Sequence, residues 1–593
     1  MRVLLSLMAL FAFALPAAAQ TSTEAEQLRR IFADSDQAQL KRNPIFALFR
    51  GDFRYAEQFG DYITDDYYAA EAAAARADLA ALTKIERARL EPDDQISYDV
   101  LKYTAETTLA GFAPSLLAAS IVRPVDHFQS WQVFFPDIAS GEGAAPFKTA
   151  KDYEDNLKRV DGYVTYLDRA IGRMREGLAA GVTNPRLVMA NVVGQLDGMI
   201  AQGVEGSTFY KPVLKFPEGM SPGDQKRLRA AYGAMVRDKV IPAHARLRDF
   251  LNTEYIPQAR ETVGLSQIPG GAALYAYLAR QSTTTEMTPD AIHALGLSEV
   301  ARIRQGMEAI KTKTGFKGSL ADFFVFMRTD RRFRPVSAVA MRDAFYAIEK
   351  RVQGSIGREF ALVPKTPLEV RQVPAYKEKT DAAGSYQQGT PDGARPGVFF
   401  FNAYDLPTRS TWGFETLFLH EGAPGHHFQI SLAQENTALP AFQRFGGNTA
   451  YVEGWALYSE SLGPALGMFG DPYQLYGHLN DEMLRAMRLV VDTGLHSKGW
   501  SRDQAITYML DNSAMSRTDA TIEVERYIAI PSQALAYKIG ALTIQRLRTK
   551  AEGALGTKFD PREFHAQVLG SGALPMAVLE AKIDRWIEAS RRG

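Results

Sequence analysis

The chain has 593 residues, 46% of them hydrophobic, with 68 basic and 68 acidic side chains and a formal net charge of zero. Balanced charge without a polybasic run argues against nucleic acid and anionic membrane as partners. The sequence holds no cysteine, so neither a disulfide framework nor a lipid-bearing thiol is expected, and stability must come from a large apolar core.

Residues 1–19 read as a secretory signal peptide. Arg2 supplies the charged start, residues 3–15 an apolar run, and Ala17, Ala18 and Ala19 a small-residue cleavage site before Gln20. The apolar run is too short to span a bilayer. The mature protein is therefore expected in the periplasm or the medium, with no membrane anchor. From 20 to 285 the pattern is helical. Thr23, Glu24, Ala25 and Glu26 open a helix that carries Leu28, Ile31 and Phe32 on one face. Segments 69–89, 95–109, 151–178 and 224–252 read as long amphipathic helices, with breaks at Pro124 and Pro185. Trp131 falls in a loop-like segment.

No linker-like composition interrupts the chain, so two closely packed lobes are expected: an N-terminal helical lobe over 20–285 and a catalytic helical lobe over 286–593. Thr288 as cap and Pro289 at the first helical position open the second. Segments 364–372 and 396–404 are the strand candidates. The second contains the β-branched and aromatic run from Val398 to Phe401.

The chemistry concentrates between His420 and His427, where three of the nine histidines fall within eight residues and Glu421 sits beside the first. Neutral imidazoles plus a carboxylate, with one position left open, are what catalytic zinc requires. The standard HExxH spacing would place a histidine at 424, and that residue is Pro424. Pro424 cannot donate to the His420 carbonyl, and its ring crowds that carbonyl. The helix, starting near Ser410 or Thr411, is expected to widen there and bring His426 to the metal. His427 is the rival, although seven helical residues climb about 10 Å. Glu421 shares a face with Phe414, Leu417 and Phe418, a costly place for an unpaired carboxylate. It is the expected general base. A blander reading ends the helix at 422–424 and leaves the histidines as packing.

Four strings carry a resemblance over residues 397–541: HEGAPGHHFQ, YVEGWALYSE, RLVVDTGLHSKGW and ERYIAIPSQALAYKIG. In this order and spacing they resemble the DUF885 family of bacterial proteins. That family is similar in turn to the helical gluzincin metallopeptidases, of the carboxypeptidase, oligopeptidase and angiotensin-converting-enzyme types. The resemblance implies a mostly α, two-lobed zinc-peptidase-like fold with a deep groove and a small β-sheet near the metal site. It implies that 397–402 forms an edge strand against which a substrate backbone lies, the alternative being a small sheet that only caps the core. It also implies Glu453 as the third ligand to Zn2+, His496 as a donor to the developing oxyanion, and Tyr527 as the hydroxyl that stabilises the tetrahedral intermediate. Tyr537 competes with Tyr527 for that role.

The residues around these positions have readings of their own. Glu460, two turns beyond Glu453, either orients a ligand histidine or is a solvated or ion-paired acid. Arg488 and Asp492 form an i,i+4 pair on a helix ending at Gly494. Lys538 either faces solvent or holds a substrate's terminal carboxylate as a point charge. Together these describe a zinc-dependent hydrolase that cleaves peptide bonds in short peptides by Glu-assisted attack of zinc-bound water. Two alternatives use the same residues: a zinc amidase on a modified or non-peptide substrate, and a non-catalytic binding protein with a degenerate metal site.

Overall fold

Side-chain caps set where the helices begin. In the computed structural model, which describes residues 23–374, 378 and 382–592, Thr23 and Glu26 cap helix α1 (Glu24–Arg42) reciprocally, each side chain bonding the other's backbone N–H. Thr64 caps α2 (Asp65–Leu82), and Pro sits in the first turn of α3 (Pro92–Gly111). Thr149 caps α4 (Ala150–Ala180), which ends on Gly181 at φ 69°, a left-handed conformation that glycine adopts without cost. Thr288 caps α5 (Pro289–Lys313). The signal-peptide reading of 1–19 lies outside the described residues.

Three expected elements differ. The helix predicted over 69–89 starts four residues earlier, at Asp65, and stops at Leu82. The one predicted over 224–252 is divided: helix Pro222–Met235 passes through a π-helical turn, Val236–Val240, into helix Ile241–Phe250. Pro242 has no N–H for the carbonyl four residues back, so the ladder shifts there. Trp131 is not in a loop; it begins helix Trp131–Ala139.

The protein is mostly helical, and its described residues contain one small sheet. Strands β1 (Leu368–Gln372), β2 (Gly384–Gln387) and β3 (Gly397–Phe401) lie in the order β1-β3-β2. Here the edge-strand expectation fails. β3 pairs in parallel with β1 (Val370 with Phe399) and antiparallel with β2 (Tyr386 with Phe399), so it is the central strand and its backbone is taken. Val398 on one face and Phe399 and Phe401 on the other are all buried, which is why a run without strict alternation forms a strand.

Five further helices complete the site region: α6 (Phe414–Glu421), α7 (His426–Glu435), α8 (Thr449–Ser461), α9 (Pro472–His496) and α10 (Arg517–Ala529). Helix α11 (Ala536–Leu555) follows. One apolar cluster joins Val160 and Leu247 to Ile303 of α5 and Met487 of α9, so core packing runs across position 285. A second cluster, including Phe399, Phe418, Trp455 and Ile544, packs the sheet against α6, α8 and α11.

Two glycines set the closest helix contact. A Cβ on Gly454 would lie 2.5 Å from the Gly540 Cα, and one on Gly540 would lie 1.9 Å from the Ala450 carbonyl oxygen. Only glycine lets the α8 and α11 backbones approach this closely. A polar cleft of about 820 Å³ opens beside them, lined by Gln39, Glu71 and Thr104 on one side and by Asn448, Thr449 and Gln533 on the other. It touches the start of α8 one turn before Glu453, and the segment one turn before Tyr537. No described helix is long and apolar enough to cross a membrane.

Candidate metal centre

The chain between the two histidines breaks rather than widens. Helix α6 stops at Glu421 and α7 starts at His426; Gly422 and Gly425 carry non-helical ψ of −123° and −131°. Pro424, inside the break, cannot continue the i→i−4 ladder. A Cβ at Gly425 would lie 1.9 Å from the His420 carbonyl oxygen, so the return of the chain requires glycine there. The indole of Trp455 donates to the Pro424 carbonyl at 2.8 Å and ties the break to α8. The expected helix start near 410 is a 3-10 turn at Thr411–Gly413, and the α-helix begins at Phe414.

This break brings three side chains together. Ligand atoms of His420, His426 and Glu453 all lie within 4.8 Å of one another. The Nε2 atoms of His420 and His426 stand 3.8 Å and 3.4 Å from Glu453 Oε2. Two ligands bound tetrahedrally to zinc at about 2.0–2.1 Å are about 3.3 Å apart, so donor set and spacing both fit that ion. His426 Nδ1 is buried and has no hydrogen-bond partner among the described residues. Burial opposes charge on both His426 and Glu453, but their mutual hydrogen bond prevails. It raises the His426 imidazole above its ordinary value and, with the charges of His426, His420 and Arg488, holds the Glu453 carboxyl at about 2. Glu421 also acts electrostatically on His426, which places the expected base beside the cluster.

Behind the cluster, Glu460 is neither solvated nor peripheral. It is 1% exposed, and its Oε1 lies 2.7 Å from His420 Nδ1. Burial would raise its carboxyl, but His420 and His478 hold it at about 2. An ionised carboxylate only accepts, so Nδ1 carries the proton and Nε2 faces the cluster with its lone pair. His478 approaches the other Glu460 oxygen at 3.5 Å and stacks on Phe469. Nothing in the sequence pattern marks His478; its role comes only from α9 crossing behind α8.

Several expected site residues are placed elsewhere. His427 turns toward the sheet, with Nδ1 3.1 Å from the Tyr386 hydroxyl, and burial lowers it to about 4. One residue of helical rotation separates it from His426 and sends it to the other side of α7. His496 is 1% exposed; Nδ1 accepts from the Leu265 N–H at 3.1 Å and Nε2 lies 2.9 Å from the Tyr527 carbonyl oxygen. Neither nitrogen remains for a substrate oxyanion, and α9 runs two residues past Gly494 to include it.

The Tyr527 hydroxyl is fully buried, accepts from Arg488 Nε at 3.1 Å and donates to Glu523. Arg488 and Asp492 do not pair. Arg488 bonds Glu523 at 3.0 Å, while Asp492 accepts from the Tyr275 hydroxyl at 2.5 Å and the Ser532 N–H at 3.0 Å. Lys538 is 2% exposed and held by Glu299 at 2.9 Å and Glu482 at 2.7 Å, so it neither faces solvent nor is free for a substrate. Tyr537 differs from all of these. Its ring lies 4.6 Å from the Arg488 guanidinium carbon and 5.9 Å from that of Arg485, and its hydroxyl makes no hydrogen bond among the described residues.

Fold and centre together define a helical protein with a buried two-histidine, one-glutamate cluster on broken helix α6–α7 and helix α8. The chain belongs to the family described as "Bacterial protein of unknown function (DUF885)", which it matches over residues 44–583. Among solved structures it is similar to "the putative lipoprotein from Colwellia psychrerythraea", with 27% identity, a TM-score of 0.86, and coverage of 96% of this chain and 100% of that one. It shares its fold with "a putative lipoprotein of unknown function from Shewanella oneidensis" at 19% identity and a TM-score of 0.72, covering 95% of this chain and 99% of that one. No curated protein matches the chain.

Proposed function

We propose that this chain is an exported zinc-dependent hydrolase that cleaves peptide bonds in short peptides, on a two-lobed scaffold of the gluzincin kind. The observation that carries the reading is the convergence of His420, His426 and Glu453, with His420 oriented from behind by Glu460. When bound, zinc supplies Lewis acidity toward a carbonyl oxygen and lowers the pKa of water.

The chain's own residues do the rest. Glu421 takes a proton from the attacking water and passes it to the leaving amine. The Tyr537 hydroxyl, with no competing partner in the protein, donates to the substrate oxygen as charge develops there. The cleft beside α8 and α11 admits the substrate. Export is supported by the signal-peptide pattern of residues 1–19 and by the similar protein described as "the putative lipoprotein from Colwellia psychrerythraea".

The test is a panel of short peptides incubated with zinc-loaded protein and read by mass spectrometry. Cleavage by the parent is expected, with a loss of about 10²–10⁴ in the Glu421→Gln protein. A Glu421→Gln protein as active as the parent overturns the mechanism, and a panel left intact overturns the substrate class.

A further inference from the structure

Arg485 and Arg488 stand one turn apart on α9 and flank the ring of Tyr537 from α11. Their surroundings differ. Arg488 is 4% exposed and anchored through Nε and one terminal nitrogen to Glu523 and Tyr527, but its other terminal nitrogen is buried without a partner among the described residues. Arg485 is half-buried and makes no hydrogen bond and no ion pair among the described residues, although its Nε is buried and unpartnered. The acids whose charges it feels, Glu460 and Asp481, are otherwise occupied. Glu460 holds His420, and burial pushes the Asp481 carboxyl up toward its neutral form. The Arg488 charge reaches Glu453 directly.

A guanidinium nitrogen buried with its hydrogen bond unmade is costly unless an anion arrives to make it. Arginine's planar fork matches a carboxylate with two parallel hydrogen bonds. Lys538, the cation that the sequence offers for such a role, is already neutralised by Glu299 and Glu482.

We propose that Arg485, backed by Arg488 and the Tyr537 ring, is a carboxylate clamp beside the metal centre that binds an anionic group of the substrate. The carboxylate belongs either to the substrate's C-terminus, which makes the protein a carboxyl-end exopeptidase, or to an acidic side chain near the scissile bond. The clamp deepens the peptide-hydrolase reading and rests on it for the nature of the ligand. Its test, however, requires no turnover.

Trialanine, trialanine amide and alanyl-glutamyl-alanine amide are titrated calorimetrically into metal-free parent protein and into Arg485→Gln. Charge-assisted hydrogen bonds lead us to expect that a carboxylate-bearing peptide binds the parent about 10- to 100-fold more tightly than trialanine amide, and that Arg485→Gln abolishes the difference. Preference for trialanine assigns the terminal carboxylate; preference for the glutamyl amide assigns the side chain. Equal binding of all three peptides to the parent overturns the clamp, as does a preference that survives in a folded Arg485→Gln protein. Because no step uses zinc, loss of the clamp leaves the hydrolase reading standing, and absence of hydrolysis leaves the clamp standing.

Discussion

Glu460 Oε1 lies 2.7 Å from His420 Nδ1, across forty residues of chain and within a core where both side chains are buried. The contact fixes the imidazole by its far nitrogen and points the near one at Glu453, 3.8 Å away. Glu460→Gln should therefore weaken zinc binding by about 10- to 100-fold while leaving all three ligands in place. Competition with a zinc indicator measures this. Unchanged affinity would mean that Glu460 is a packing residue only.

Zinc binding should depend on pH through His426. Its pair with Glu453 raises the imidazole above the ordinary value, and a metal ligand must be neutral. Affinity is thus full above the raised pKa and falls as pH drops through it, with one proton released per zinc from this residue. Isothermal titration in buffers of different ionisation heat counts that proton. Equal affinity at pH 8 and pH 5.5 would contradict it.

The whole chain should lose stability toward acid. Burial holds His244 at about 4 and His496 and His565 at about 3, below the roughly 6.5 of an unfolded histidine. As pH falls below about 6.5 the unfolded chain takes up protons that the folded chain refuses, so stability present above that pH is lost on the way to 3–4. Asp492, raised to about 7 by burial, acts with the opposite sign. The melting temperature should fall between pH 7 and pH 4.5; an unchanged value would show that these imidazoles titrate normally.

Gly540→Ala should cost about 1–3 kcal/mol or more, because its Cβ would meet the Ala450 carbonyl oxygen at 1.9 Å and push α8 from α11. Since α8 carries Glu453, zinc affinity should fall in the same variant. Urea unfolding and a zinc titration on one preparation check both effects. A variant as stable as the parent would mean that the two helices slide apart freely.

The two tyrosines separate by the same logic. Tyr537→Phe should reduce turnover by about 10²–10³ with little change in affinity, the signature of a lost oxyanion donor. Tyr527→Phe should instead destabilise the fold by about 1–3 kcal/mol, because it strips Arg488 and Glu523 of a buried partner. If the two signatures are exchanged, the assignment of the open hydroxyl is wrong.

Residue types and caps made much of this legible beforehand. Thr23 and Thr288 cap where their sequences place them, and the helical class follows from periodicity. His420 and the neighbours His426 and His427 stand out by residue type and spacing, which leaves the choice between the last two open, whereas Glu453 enters only through the family resemblance; the fold brings His420, His426 and Glu453 together. What the pattern could not carry was three-dimensional pairing. Pro424 announces a disturbance but does not say whether the helix bulges or breaks; the glycines on either side let it break. β3 has the composition of any buried strand, and its central place depends on β2, whose residues, three half-buried and one exposed, are weakly patterned. Arg488 was paired with Asp492 by spacing alone, whereas α10 offers Glu523 at closer range. Lys538, His496 and Tyr527 carry reactive groups, but Glu482, the Leu265 N–H and Arg488, each remote in sequence, occupy them, and Glu523 one turn back on α10 also takes the Tyr527 hydroxyl.

The central claim is a zinc held by His420, His426 and Glu453, with His427 outside the centre. Its most direct test is metal content, by plasma mass spectrometry, of the dialysed parent, His426→Ala and His427→Ala proteins. The expected result is one zinc per chain in the parent and in His427→Ala, and none in a folded His426→Ala protein. Zinc retained by His426→Ala and lost from His427→Ala would contradict the account.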